Sequence, residues 1–78
     1  MNIIIAGIVK RFSIKNGCIV TFKETDGTYC FTVDLDGKHK KSTFVKKDNK
    51  AEPSVIINKI EERLYNTYLD LVSAGRCL

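Results

Sequence analysis

The segment Pro53–Ala74, PSVIINKIEERLYNTYLDLVSA, decides the fold, because it is the long stretch of this chain with helical periodicity. At about 100° per residue, one set of apolar side chains falls within an arc of about 120°. This set is Ile56, Ile57, Ile60, Leu64, Tyr68 and Leu71. Pro53 suits the first helical position, and Gly75 suits the left-handed position that follows a last turn. The pattern predicts a helix over about 53–74 that covers a sheet formed by the preceding residues.

Length and composition indicate a single small domain, residues 1–78, near the lower limit for a core without disulfides or metals. Apolar residues make up 44% of the chain and charged residues 28%, which is ordinary for a globular protein. The net charge is +4. This mild basic excess allows a nucleic acid or an acidic protein as partner.

The N-terminal apolar run, residues 3–9, is too short to span a membrane, and no positive leader precedes it. We therefore expect no membrane contact and a cytoplasmic location. Cys18, Cys30 and Cys77 form an odd set of thiols, which agrees with a reducing compartment.

Three turn signals recur at ten-residue intervals: Asn16-Gly17, Asp26-Gly27 and Asp36-Gly37. Asn-Gly and Asp-Gly favour tight hairpins, because the turn requires positive φ angles. The segments between them are rich in β-branched and aromatic residues. The predicted fold is α+β, a four-stranded antiparallel meander with one C-terminal helix on one face (ββββα). Its strands cover about 3–14, 18–25, 28–35 and 38–46.

Turn length sets the register of this sheet, and register sets which side chains share a face. Two-residue turns predict three apolar cross-strand pairs: Phe22–Phe31, Val20–Val33 and Tyr29–Phe44. In the first hairpin a three-residue loop, 15–17, is favoured because it turns more isoleucines toward the core. The fourth strand then has Lys38 and Lys40 on the core side, as in a protected edge strand. The opposite face is basic and rich in threonine.

Nothing in the sequence predicts catalysis, a metal site or a cofactor. His39 is the lone histidine, and its expected cross-strand neighbour is Asp34, with no nucleophile beside the pair. Cys18 and Cys30 are expected on opposite faces, so they do not form a zinc site. No glycine-rich phosphate loop is present. We predict a protein without enzymatic activity.

The remaining signal is a set of basic residues that could contact phosphates. The candidates for nucleic-acid binding are Arg11, Lys23, Lys38, Lys40, Lys41, Lys46 and Lys47. Arg11 and Lys41 are expected in one row of the open sheet face, where they could meet a groove. Stacking on single strands is not expected, because this face lacks an aromatic row. The alternative without a binding function is that the lysine-rich stretch is only a solvated sheet edge.

An alternative function uses the flank of the helix. Tyr65, Leu69 and Val72 widen its apolar arc beyond the core side, where they either pack on the N-terminal strand or form a protein interface. The chain would then be a small inhibitor or adaptor, of the kind that phages and mobile elements encode. It would bind a host protein or a nucleic-acid-handling complex through this flank or through the edge strand. A homodimer through the flank is a further possibility.

Overall fold

A computed structural model describes residues 3–76 and shows two helices and three strands. In chain order these elements are α1 (Ile3–Asn16), β1 (Ile19–Thr25), β2 (Thr28–Asp34), β3 (Lys40–Lys46) and α2 (Pro53–Arg76). The strands form one antiparallel sheet in the order β1-β2-β3. Both helices pack on the same face of the sheet, and the α+β class is confirmed. Cys77 lies outside the described residues.

The predicted first strand is wrong, because residues 3–16 form helix α1. Ile5, Ile8 and Val9 are buried, and Phe12 is half-buried against the same core. Their i, i+3, i+4, i+7 spacing is that of a helix face. The isoleucine content of the segment favours a strand on intrinsic preference, and burial of this face outweighs it.

Gly17 was predicted to close a hairpin, but its backbone conformation also suits the end of a helix. Its φ is 67°, a value that either a hairpin turn or a helix C-cap would require. In the structure the Gly17 N–H donates to the carbonyl of Ser13 at 2.9 Å, so the glycine ends α1. Gly17 and Cys18 form the two-residue link between α1 and β1.

Ser13 joins the end of α1 to the outer edge of β1. Its hydroxyl donates to the carbonyl of Val9 at 2.9 Å and accepts the N–H of Val20 at 3.2 Å. This N–H points away from β2 at the outer edge of the sheet, and Ser13 provides its hydrogen-bond partner. The helix and the strand are thus connected by a side chain as well as by the shared core.

Replacing Gly7 with alanine is expected to stabilise the fold. Gly7 is exposed in the interior of α1, and a Cβ there would meet no atom within 4 Å. Removing the extra backbone freedom of glycine in a helix should raise the free energy of unfolding by about 0.5–1 kcal/mol. Urea denaturation measures the change. Gly17→Ala, at a φ of 67°, is the matched control and should destabilise. A lower stability for Gly7→Ala would contradict a helical N-terminal segment.

The first hairpin of the sheet confirms the prediction. Asp26-Gly27 forms a two-residue turn with Gly27 at a φ of 77°. Phe22 lies opposite Phe31, as expected, and their rings stack with centroids 5.6 Å apart. The Val20–Val33 pair is also confirmed.

The register predicted for the second hairpin is wrong by one residue. Asp36 stabilises a three-residue loop, because its carboxylate accepts the N–H groups of Lys38 and His39 at 3.0 and 2.9 Å. Tyr29 therefore lies opposite Val45 and not opposite Phe44. A shift of one residue exchanges the two faces of a strand, so every β3 side chain lies on the side opposite to the predicted one.

Helix α2 has the predicted core face. Ile60 and Leu64 are fully buried, and Leu71 is nearly so. Pro53 is its first residue, as predicted, but the helix continues through Gly75 to Arg76. Gly75 does not take the predicted left-handed conformation. The buried residues of both helices and the sheet make one core: Ile5, Ile8, Val9, Cys18, Val20, Phe31, Val33, Val45, Ile60, Leu64 and Leu71.

Candidate functional site

The face of the sheet opposite the helices is the main candidate surface, because neither helix covers it. We call it the open face. It comprises alternate residues of each strand: Ile19, Thr21, Lys23 and Thr25 of β1, Thr28, Cys30, Thr32 and Asp34 of β2, and Lys40, Ser42, Phe44 and Lys46 of β3. Hydroxyl and amino groups predominate among these side chains.

Phe44 is the main apolar group of the open face on β3, and 63% of it is exposed. It shares a cross-strand row with Cys30 and Lys23. At about 4.8 Å per strand, Lys23 lies about 10 Å from Phe44 across the sheet. Lys46 follows Phe44 by two residues on the same side. Phe44 was predicted to lie in the core, and the three-residue loop of the second hairpin turns it outward.

The row beside Phe44 consists of hydroxyl groups. Thr32 Oγ1 and Ser42 Oγ lie 3.0 Å apart in a cross-strand hydrogen bond. Thr21 is the partner of Thr32 on the other side of β2. Hydroxyls in this position can donate to phosphate or sugar oxygens without carrying charge.

Three of the predicted nucleic-acid-binding residues share the open face: Lys23, Lys40 and Lys46. Lys23 and Lys46 have no ionic partner within residues 3–76, whereas Lys40 Nζ lies 3.9 Å from a carboxylate oxygen of Asp34. Lys38 is exposed in the loop before β3. The structure thus brings together less than half of the predicted set.

The other three predicted residues lie on the helix side. Arg11 is on α1, where it lines a groove of about 320 Å³ between the two helices. Lys41 Nζ contacts the carboxylate of Asp70 on α2 at 2.7 Å. Lys47 Nζ lies 3.5 Å from Glu24 and 5.3 Å from the ring centre of Tyr29. The predicted row that joined Arg11 to Lys41 is therefore wrong, since it assumed a strand at residues 3–14 and a two-residue second turn.

The predicted protein-interface residues lie along α2. Tyr65 is 53% exposed and Leu69 is 41% exposed, while Val72 is half-buried. Tyr65 lines the groove between the helices. Its neighbour Tyr68 packs edge-on against Phe12 of α1, with ring centroids 6.1 Å apart. The flank therefore borders α1 and keeps two apolar side chains in contact with solvent.

His39 contacts Asp36 and not the predicted Asp34. Its Nδ1 lies 2.9 Å from an Asp36 carboxylate oxygen. The pKa of Asp36 is lowered to about 2, first by the N–H of His39, then by its ring and by the N–H of Lys38. These bonds stabilise the loop, so the role of the His39–Asp36 pair is to fix the turn between β2 and β3.

Burial raises the pKa of the Cys18 thiol, which makes it a poor nucleophile at neutral pH. Among residues 3–76, no group of three potential ligands could hold a metal ion.

Sequence reasoning missed Phe44 as a surface residue. The signal was present in Asp34-Leu35-Asp36-Gly37-Lys38, since an aspartate before glycine can accept N–H groups further along the chain and lengthen the turn. A three-residue loop was predicted for the Asn16-Gly17 turn and not for the Asp36-Gly37 turn. Such a loop at Asp36-Gly37 places Phe44 and Lys46 on the open face.

Comparison with protein-family models, with curated proteins and with solved structures finds no match to this chain. Within the described part of the chain, neither helix is long and apolar enough to cross a membrane.

Proposed function

We propose that this chain is a non-enzymatic binding module that contacts single-stranded nucleic acid through the open face. The observation that carries the proposal is Phe44, 63% exposed on the face of the sheet that no helix covers, with Lys23 and Lys46 on the same side. Stacking of a base on an aromatic ring contributes about 1–3 kcal/mol and tolerates any sequence. Lysines beside the ring neutralise phosphates, which adds a salt-dependent contribution.

The arrangement of the open face suits an extended strand of nucleotides. When a base stacks on Phe44, the sugar-phosphate backbone on one side of that nucleotide lies near Lys46. On the other side the backbone runs toward Lys23. The hydroxyls of Thr32 and Ser42 lie in the next row; one donates to the other, and the remaining O–H can donate to the sugar-phosphate backbone. An exposed aromatic ring with flanking cations is of less use on a duplex, whose bases are already stacked.

The test is fluorescence anisotropy with labelled single strands of mixed sequence, in DNA and in RNA form, between about 50 and 200 mM salt. Phe44→Ala should weaken binding by about 1–3 kcal/mol at every salt concentration. Lys23→Glu should also weaken it and should lower the salt slope by about 0.7 for the lost phosphate contact.

Lys10→Glu is the matched control for charge, because Lys10 is exposed on α1, on the opposite side of the sheet. It should leave the affinity close to that of the wild type. The proposal fails if no single strand binds at low salt, or if Lys10→Glu and Lys23→Glu weaken binding equally. Equal affinity for duplex and single strands would refute the role of Phe44.

A cytoplasmic location belongs to the same proposal. Cys18 and Cys30 are both free thiols in the described part of the chain. Unpaired cysteines are typical of proteins in reducing compartments.

A further inference from the structure

Among residues 3–76, no strand neighbours the outer edge of β3, since the strand order β1-β2-β3 places it at one side of the sheet. The direction of its backbone groups follows from two hydrogen bonds that flank the β2–β3 ladder. The N–H of Lys47 donates to the carbonyl of Gly27 at 2.9 Å, and the N–H of Leu35 donates to the carbonyl of His39 at 3.0 Å. Both are in register with the ladder.

Hydrogen-bonded and non-hydrogen-bonded pairs alternate along an antiparallel ladder. Counting inward from these two bonds, Thr43 and Val45 direct their N–H and C=O groups toward β2. Ser42 and Phe44 direct theirs away from the sheet, as do Lys40 and Lys46. The 3.0 Å contact between the hydroxyls of Ser42 and Thr32 agrees, because side chains are closest in non-hydrogen-bonded pairs.

A cavity of about 230 Å³ lies where this edge meets α2. Phe44, Val45 and Lys46 line it from the strand, and Lys59 and Arg63 line it from the helix. Its lining residues are thus apolar or positively charged. The Lys41–Asp70 ion pair lies further along the same side, so this excess of positive charge belongs to the Phe44 end of the edge.

We propose that the outer edge of β3 binds an extended segment of another protein in which apolar and acidic residues alternate. Such a segment adds a fourth strand and pairs its backbone with the outward groups of Ser42 and Phe44. Side chains of a strand point alternately to its two faces. Those on the open side lie beside the Phe44 ring, and those on the helix side enter the cavity toward Lys59 and Arg63. The first set is apolar and the second is acidic.

Charge excludes a second copy of this chain as the occupant. Pairing of two β3 edges would bring Lys40 and Lys46 of both copies to one seam, with Lys59 and Arg63 beside it. Like charges in such positions are destabilising. The acidic side chains of the proposed segment lie on the helix side, where they meet Lys59 and Arg63 with the opposite sign.

The experiment uses the full chain, labelled with ¹⁵N, and a synthetic peptide of about seven residues in which valine and glutamate alternate, a typical strand length. The amide signals of Ser42 and Phe44 should shift the most on titration. Their exchange with solvent should slow by about tenfold or more when the new strand forms. A peptide with lysine in place of glutamate should not bind.

Two variants separate the backbone contribution from the charge contribution. Ser42→Pro removes an outward N–H and leaves the β2 ladder intact, because proline is tolerated on edge strands in this orientation. It should weaken the affinity for the peptide by about tenfold or more, whereas Ser42→Ala, which keeps the N–H, should bind like the wild type. The double variant Lys59→Glu with Arg63→Glu should weaken binding by about tenfold or more. Lys10→Glu is its control.

Several results would overturn the proposal. One is equal binding of the lysine peptide; another is a shift pattern centred on Tyr65 and Leu69, which would place the docking surface on the helix flank. Slowed exchange at Ser42 with an oligonucleotide alone would assign the edge to nucleic acid. A dimer in sedimentation that Ser42→Pro dissolves would assign it to a second copy. Lys23→Glu should not affect the peptide, so this proposal does not depend on nucleic-acid binding.

Discussion

Phe31→Ala is expected to remove most of the stability of this fold. Phe31 is fully buried at the centre of the middle strand, where it stacks on Phe22. Truncating a buried phenylalanine costs about 3–5 kcal/mol, from lost burial and from the cavity that remains. A chain of 78 residues has about 4–12 kcal/mol of stability at typical values per residue. Urea denaturation followed by far-UV circular dichroism should show a large drop in the midpoint, or an unfolded variant.

Phe44→Ala is the matched control for this result. The residue type and the change are the same, but Phe44 lies on the open face with 63% of its surface exposed. The substitution should change the free energy of unfolding by about 0.5 kcal/mol or less. If the two variants were destabilised equally, Phe44 would be a core residue, as the two-residue turn predicted. The assignment of the open face would then fail.

Arg11→Pro is expected to cost about 3 kcal/mol or more, although the Arg11 side chain is exposed. Residue 11 lies in the interior of α1, where a proline loses the hydrogen bond to residue 7 and its ring clashes with that carbonyl. Loss of the helix would also expose the buried residues Ile5 and Ile8. Thermal unfolding and the helical circular dichroism signal measure the effect.

Arg11→Ala provides the comparison, because it removes the same side chain and keeps the backbone donor. It should be within about 0.5 kcal/mol of the wild type, since alanine favours helices and the arginine is exposed. Similar stabilities for the alanine and proline variants would mean that residue 11 lies outside a helix.

The second half of the fold could be predicted from sequence because each signal there had one structural meaning. The spacing of Ile60, Leu64 and Leu71 fits a helix and does not fit a strand. Asp26-Gly27 between alternating apolar residues fits a two-residue hairpin. Local preference and burial agree in these segments, so the helix and the first hairpin were predicted correctly.

The N-terminal segment could not be assigned in this way, because its signals conflict. Isoleucine favours strands, and Gly17 has the same positive φ in a hairpin turn and after a helix. The spacing of Ile5, Ile8 and Val9 favours a helix, but exposed Ile3, Ile4 and Ile14 obscure the pattern. Packing of α1 against β1 decides the outcome, and a tertiary contact of this kind is not visible in local sequence.

The candidate site was predicted in part for a related reason. Lys23 and Lys46 were predicted to contact nucleic acid; both are exposed, and Lys46 lies on the open face because β3 is displaced by one residue. That displacement arises from the Asp36 carboxylate, which accepts N–H groups within the loop. A single side-chain interaction at the turn therefore determines which residues of β3 face a ligand.

The hydrogen bond from the Val20 N–H to Ser13 gives the two edges of the sheet different properties. A chain that adds strands at both edges can propagate into a fibre, in which each copy is donor to one neighbour and acceptor for another. Here the outward N–H of Val20 on the β1 edge is already bonded to α1, so a strand that adds at this edge would have to displace Ser13. We therefore expect strand addition at β3 to be favoured over addition at β1, which disfavours edge-to-edge polymerisation.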